Sequence, residues 1–185
     1  MARIKLIQGK DDLPAEHHGL ADRIIKTFGG VVGPSTVLLQ TPKLAPAVYD
    51  IGDYFRQHSV VPAKLRLLGI LVAARERQGE FVWAAQVGAA RHAGVREDVI
   101  ELVRTRAAPA RYPAEEAEVV AYAEQLMRTN RVEQASFDAL RNRHGTPWLI
   151  ELTMAIGYYA MLSGLVSAFE VPAPAGRDPL PLPLP

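Results

Sequence analysis

The sequence predicts an all-α domain, and three observations carry that prediction. Apolar residues recur three and four positions apart and almost never alternate cleanly, so no strand is needed anywhere. Periodic stretches are punctuated as helices are, with Gly29-Gly30, Gly79, Gly94 and Gly145 at their ends and Pro42, Pro62 and Pro147 at their starts. A chain of 185 residues with 49% hydrophobic and 22% charged side chains buries one sizeable core without cross-links.

Taken in order, a first helix fits residues 14–28, closed by the glycine pair, and a short helical segment follows at 36–39 with Ser35 as its cap. Thr41-Pro42 opens an amphipathic helix in which Leu44, Val48, Ile51 and Phe55 share a face. Over 62–77 the residues Leu65, Leu67, Leu68, Ile70, Leu71 and Val72 surround nearly the whole circumference, which makes this the central helix. An alanine-rich helix follows at 80–93. Amphipathic helices are expected at 97–106, 114–128 and 133–144, and a last, apolar helix at 146–169. Residues 1–171 thus form a single domain with an N-terminal extension. The proline-rich tail 172–185 cannot be helical and is expected to lie extended along the surface or on a neighbouring subunit.

Composition excludes several functions. Twenty-one basic and twenty acidic residues leave a net charge of +1, so no global field draws the chain to a nucleic acid or an anionic membrane. Absence of cysteine removes disulfides, thiolate metal sites and every cysteine nucleophile or redox pair, and fits a cytoplasmic protein. The start, MARIKLIQGKDDLP, lacks the apolar core of a secretory signal and reads as a mature N-terminus. Residues 152–169 carry no charge over eighteen positions, but Thr153, Ser163 and Ser167, three alanines and two glycines favour a core or subunit-interface helix over a membrane span. The five histidines form no metal pattern, with His17 and His18 diverging and His58, His92 and His144 isolated. GGVVG lacks dinucleotide spacing, and neither a GxSxG elbow nor a P-loop occurs, so no metal or organic cofactor is expected.

The stretch LRLLGILVAARERQGEFVWAAQVGAARHAGV, residues 65–95, resembles the carboxymuconolactone decarboxylase and alkylhydroperoxidase D-like family, whose core is an apolar helix, a turn and an EYEW-like helix. The flanking blocks GPSTVLLQTPKLA and IELTMAIGYYAMLSGLVSAFEVPAP resemble one bacterial subgroup of it. The resemblance implies a multi-helix alkylhydroperoxidase D-like bundle that assembles as a homo-oligomer, a trimer or hexamer. It also implies a thiol relay in the peroxidase branch, whose glutamate, two cysteines and histidine fall on Leu67, Gly79, Val82 and Gln86. None of these four side chains transfers a proton or forms a thiolate, so thiol peroxidase activity is excluded. In the decarboxylase-like branch the second cysteine position is Glu and the histidine is kept; here Phe81-Val82-Trp83 retains the aromatic pair without either titrating group.

What remains is cofactor-independent lyase or isomerase chemistry on a small lactone or carboxylate, or a non-catalytic ligand-binding or structural oligomer. Trp83 and Gln86 share a helix face and read either as an aromatic wall with one amide anchor or as a core tryptophan beside a backbone-bonded glutamine. Glu80 and Arg75 flank the turn between the two key helices, as a catalytic carboxylate and a substrate-binding guanidinium or as helix-dipole partners. Glu151 and Tyr158 lie seven residues apart in the last helix, as an acid/base pair or with Glu151 in a structural ion pair or bonded to a neighbouring helix end.

Overall fold

The structure, a computed structural model, describes residues 2–174 and 178–181. Among them the chain is all-α. Its helices are α1 (His18–Phe28), α2 (Pro34–Leu38), α3 (Ala45–Gln57), α4 (Ala63–Glu76), α5 (Glu80–His92), α6 (Glu97–Arg104), α7 (Ala114–Thr129), α8 (Gln134–His144) and α9 (Thr146–Ala168). The predicted elements are all present, and the differences lie at their ends. Residues 15–17 form a 3₁₀ turn ahead of α1, held by the His17 amide donating to the Pro14 carbonyl at 2.9 Å. Thr41 does not cap α3: its hydroxyl donates backward to the Leu38 carbonyl at 3.0 Å, and the helix begins at Ala45. Ser35 lies buried inside α2 rather than ahead of it.

Helix α4 is the centre of the molecule. Leu65, Leu68, Ile70, Leu71, Val72, Ala73 and Ala74 are all buried, and α5, α7 and α9 pack around them. Its all-round apolar pattern leaves no solvent face, as the sequence requires. Glu76 at its C-terminus, a position disfavoured by the helix dipole, is held between Arg106 at 3.0 Å and Arg128 at 2.9 Å.

The α4–α5 turn sets the angle at which the two key helices leave each other. Gln78 takes the left-handed conformation at φ 52°, and the Gly79 amide donates to the Ala74 carbonyl at 2.7 Å, the bond that closes a Schellman motif. Glycine at 79 therefore answers a different demand. A Cβ on Gly79 would sit 2.3 Å from Ser163 Oγ and 2.7 Å from Ser163 Cβ, so its hydrogen is what lets the turn rest against α9.

The two termini finish the domain. The Arg3 amide donates to the Phe169 carbonyl at 3.1 Å and the Ile7 amide to the Thr36 carbonyl at 3.0 Å, which lays the N-terminal segment over α2 and the end of α9. Where described, the tail is docked on this chain. Asp178 pairs with Arg91 at 2.6 Å, and Leu180 is buried. The extended-tail expectation for 175–177 and 182–185 lies outside the described residues. By length and composition α9 could cross a membrane; in this fold its Leu152 and Ile156 are buried and pack against Gly69 of α4.

Substituting Gly79→Ala is expected to destabilise the fold by about 1–3 kcal/mol, the usual cost of overpacking. Ser163→Gly in the same chain should recover part of that loss. Chemical denaturation of the four variants of this cycle checks both, and additive effects would mean that the two residues do not press on each other.

Candidate functional site

A cavity of about 680 Å³ lies between α2, α3, α5 and α9. That is within the range of sites for small organic ligands. Helix α2 and the loop before it supply Val31, Val32 and Leu38, α5 supplies Phe81 and Val82, and α9 supplies Leu162. Leu6 and Gln8 close it from the N-terminal segment, and Val171, Pro172 and Pro174 from the chain after α9. Gly33, at φ 54°, lets Phe81 form part of this wall, since a Cβ there would meet the ring at 2.2 Å.

The polar groups converge on one corner. Arg56 and Tyr49 reach it from α3, and Tyr158 and Tyr159 from α9. Gly52 brings two of them together: a Cβ on it would lie 2.7 Å from Tyr158 Oη and 3.2 Å from Arg56 Nη1. Asp53 pairs with Arg56 and also accepts from Arg23 at 2.5 Å, and the Arg56 guanidinium lies 4.9 Å from the centre of the Phe28 ring. The Tyr158 hydroxyl donates to the Val48 carbonyl at 3.1 Å, whereas the buried Tyr49 hydroxyl has no hydrogen-bond partner among the described residues. Burial pushes the phenols of Tyr49, Tyr158 and Tyr159 up from their ordinary value, so all three keep their protons at neutral pH. Across the cavity, Gln86 adds an amide from α5.

No carboxylate, imidazole or thiol is among the described residues that line this space. The arrangement can therefore bind an apolar body and donate hydrogen bonds to an oxygen at the Arg56 corner, but it presents no general base near neutral pH.

Of the residues singled out in the sequence, the structure brings Gln86 and Tyr158 to this cavity and leaves four outside its lining. Trp83 is fully buried, with the Arg104 guanidinium 5.2 Å from its ring centre, so it belongs to the core and not to the cavity lining. Arg75 is buried too, and its Nε donates to the Arg104 carbonyl at 2.6 Å, which makes it a brace between α4 and α6. Glu80 is exposed. Glu151 accepts from the Tyr54 hydroxyl at 2.6 Å and from the Val60 amide at 2.9 Å. Partial burial raises its carboxyl, but these hydrogen bonds outweigh burial and hold it below the usual range. Glu151 and Tyr158 thus serve different neighbours and do not form a pair. Among the relay positions, Val82 and Gln86 face the cavity, and Leu67 and Gly79 do not.

Sequence reasoning missed Arg56, Tyr49 and Tyr159. A signal existed: Tyr49, Gly52 and Arg56 are spaced three and four apart and so share one face of α3. An amphipathic reading assigns charged residues to solvent, and that assumption hid an arginine whose side chain lies along an apolar wall.

Comparison with known proteins agrees with this geometry. Residues 42–125, which contain Arg56, the α4–α5 hairpin and Gln86, match the model of the carboxymuconolactone decarboxylase family. No curated protein sequence matches the chain. Among solved structures, an uncharacterised peroxidase-related protein from Ralstonia eutropha JMP134, described as an alkylhydroperoxidase AhpD core, superposes with a TM-score of 0.78 at 14% identity, covering 94% of this chain and 93% of its own. An Agrobacterium tumefaciens protein of unknown function, described as a candidate antioxidant defence protein AhpD, superposes with a TM-score of 0.65 at 20% identity, covering 75% of this chain and 96% of its own. Residues 42–125 are thus similar to the carboxymuconolactone decarboxylase family, and the chain carries the alkylhydroperoxidase D-like fold.

Proposed function

We propose that this chain binds a small, largely apolar carboxylate or lactone in the cavity between α2, α3, α5 and α9, and that it does so without the proton relay of its fold relatives. The observation that carries this reading is the composition of the cavity: apolar walls, one corner holding Arg56, Tyr49, Tyr158 and Tyr159, and no titrating acid or base among the described lining residues. A carboxylate or lactone carbonyl suits that corner because the Arg56 guanidinium and the Tyr49 phenol, whose hydroxyl has no partner among the described residues, donate toward a negative or polarised oxygen, while Tyr158 is spent on the Val48 carbonyl. The apolar remainder of the ligand suits Phe81, Val82 and Leu162, and Gln86 selects a polar group at the opposite end.

A second reading follows from the several N–H donors of the Arg56 guanidinium at this corner. Donors aimed at one oxygen stabilise an enolate or oxyanion, so cofactor-independent lyase or isomerase turnover is available to a substrate that needs only electrophilic assistance. Binding is favoured over turnover because the described lining holds none of the bases such turnover ordinarily requires.

Thermal unfolding with a panel of small aliphatic and aromatic carboxylates and lactones tests the binding reading. Apolar carboxylates should raise the transition temperature, by mass action on the folded state. Arg56→Met should weaken their binding by about ten- to a hundredfold, as expected for losing a charge-assisted contact of roughly 1.5–3 kcal/mol. Gln86→Leu should weaken it less. Equal binding by the Arg56→Met variant would remove the polar corner from the site.

A further inference from the structure

Three of the large apolar side chains left exposed on this chain lie on one helix. Ile150, Met154 and Met161 of α9 are 57%, 54% and 50% exposed. The remaining exposed positions in line with them are Gly157, Gly164 and Ala168, so the stripe runs 150, 154, 157, 161, 164, 168. Steps of four and three in alternation are the heptad spacing of a helix–helix seam. No charged residue interrupts it.

The two glycines are the second observation. A Cβ at Gly157 or Gly164 would meet no heavy atom within 4 Å, so nothing in the chain itself asks for glycine there. In the exposed interior of a helix each glycine costs about 1 kcal/mol relative to alanine. Glycine on an outward face is what close approach by another backbone requires.

The third observation fixes the partner. With a second α9 laid antiparallel, large and small positions pair at every level: Ile150 against Ala168, Met154 against Gly164, and Met161 against Gly157. All three pairs are symmetric about the level of Tyr159. A two-fold axis demands that if one residue contacts a second, the second contacts the first, and this order of side chains satisfies that demand along the whole stripe. We infer that α9 forms an antiparallel, two-fold seam with α9 of a second copy of this chain.

The seam spans about 27 Å at 1.5 Å per residue and, at a helix width near 10 Å, presents roughly 300 Å². A standard interface takes ~800 Å² per partner. Ile51, Tyr54 and Val60 extend the apolar surface beside the seam, all more than 40% exposed, and Glu151 ties Tyr54 and the Val60 backbone to α9. Such a seam builds dimers, or hexamers made of three pairs, and it excludes a trimer without two-fold axes.

Sedimentation of the full chain tests this. The wild type should run at twice the 20.2 kDa chain mass or an even multiple of it. Gly164→Met and Met154→Gly alone should each weaken assembly by at least about tenfold, and the two together, which exchange large and small at one paired level, should restore it. Helicity and melting of each variant check that it folds; a Cβ at 164 meets no heavy atom within 4 Å. The chain has no cysteine, so the orientation is read directly: Met154→Cys with Gly164→Cys should cross-link on mild oxidation, and Met154→Cys alone should not. A monomeric or purely trimeric wild type, cross-linking by Met154→Cys alone, a combined exchange no better than the single variants, or flotation of the wild type with phosphatidylcholine vesicles would each overturn the proposal.

Discussion

Everything in this fold is placed by the burial of α4. A helix with Leu65, Leu68, Ile70, Leu71 and Val72 distributed around its circumference has no face to give to water, so other helices must enclose it. The enclosing helices are α5, α7 and α9. How closely α9 can approach is then decided at the α4–α5 turn, where Gly79 meets Ser163. That contact fixes α5 against α9, and the cavity is the space left where α5 and α9 diverge toward α2 and α3.

The described lining of the cavity on this scaffold holds no carboxylate, imidazole or thiol. Val82 and Gln86, onto which the resemblance places two members of a relay, line the cavity without a titrating group. The polar groups lie on the other side, on α3 and the middle of α9. Arg56 is held by Asp53, and Tyr158 by the Val48 carbonyl, so the corner is preorganised before any ligand arrives. The corner thus presents a cation beside phenols that burial keeps protonated at neutral pH.

Helix type, order and the central role of α4 were legible in the sequence, because helical periodicity and Gly/Pro punctuation are local signals. Cavity membership was legible only in part. Gln86 and Tyr158 were found, but Trp83 on the same helix as Gln86 points to the core, since positions three apart differ by about 60° and a cavity edge falls between them. Glu151 looked like an acid in an apolar helix; its partners, Tyr54 and the Val60 amide, lie about ninety residues away in sequence and cannot be read from local spacing. Gly79 looked like a helix terminator, yet Gln78 takes the left-handed turn and the glycine serves a tertiary contact.

The central claim is that ligand meets donors and no titrating group. Calorimetric titration of a small apolar carboxylate at pH 7, repeated in buffers of different ionisation enthalpy, measures the protons exchanged on binding. With the three phenols protonated and no carboxylate or imidazole in the described lining, the account predicts binding with the same enthalpy in every buffer. An enthalpy that varies with the buffer would show a proton moving on binding, and would contradict it.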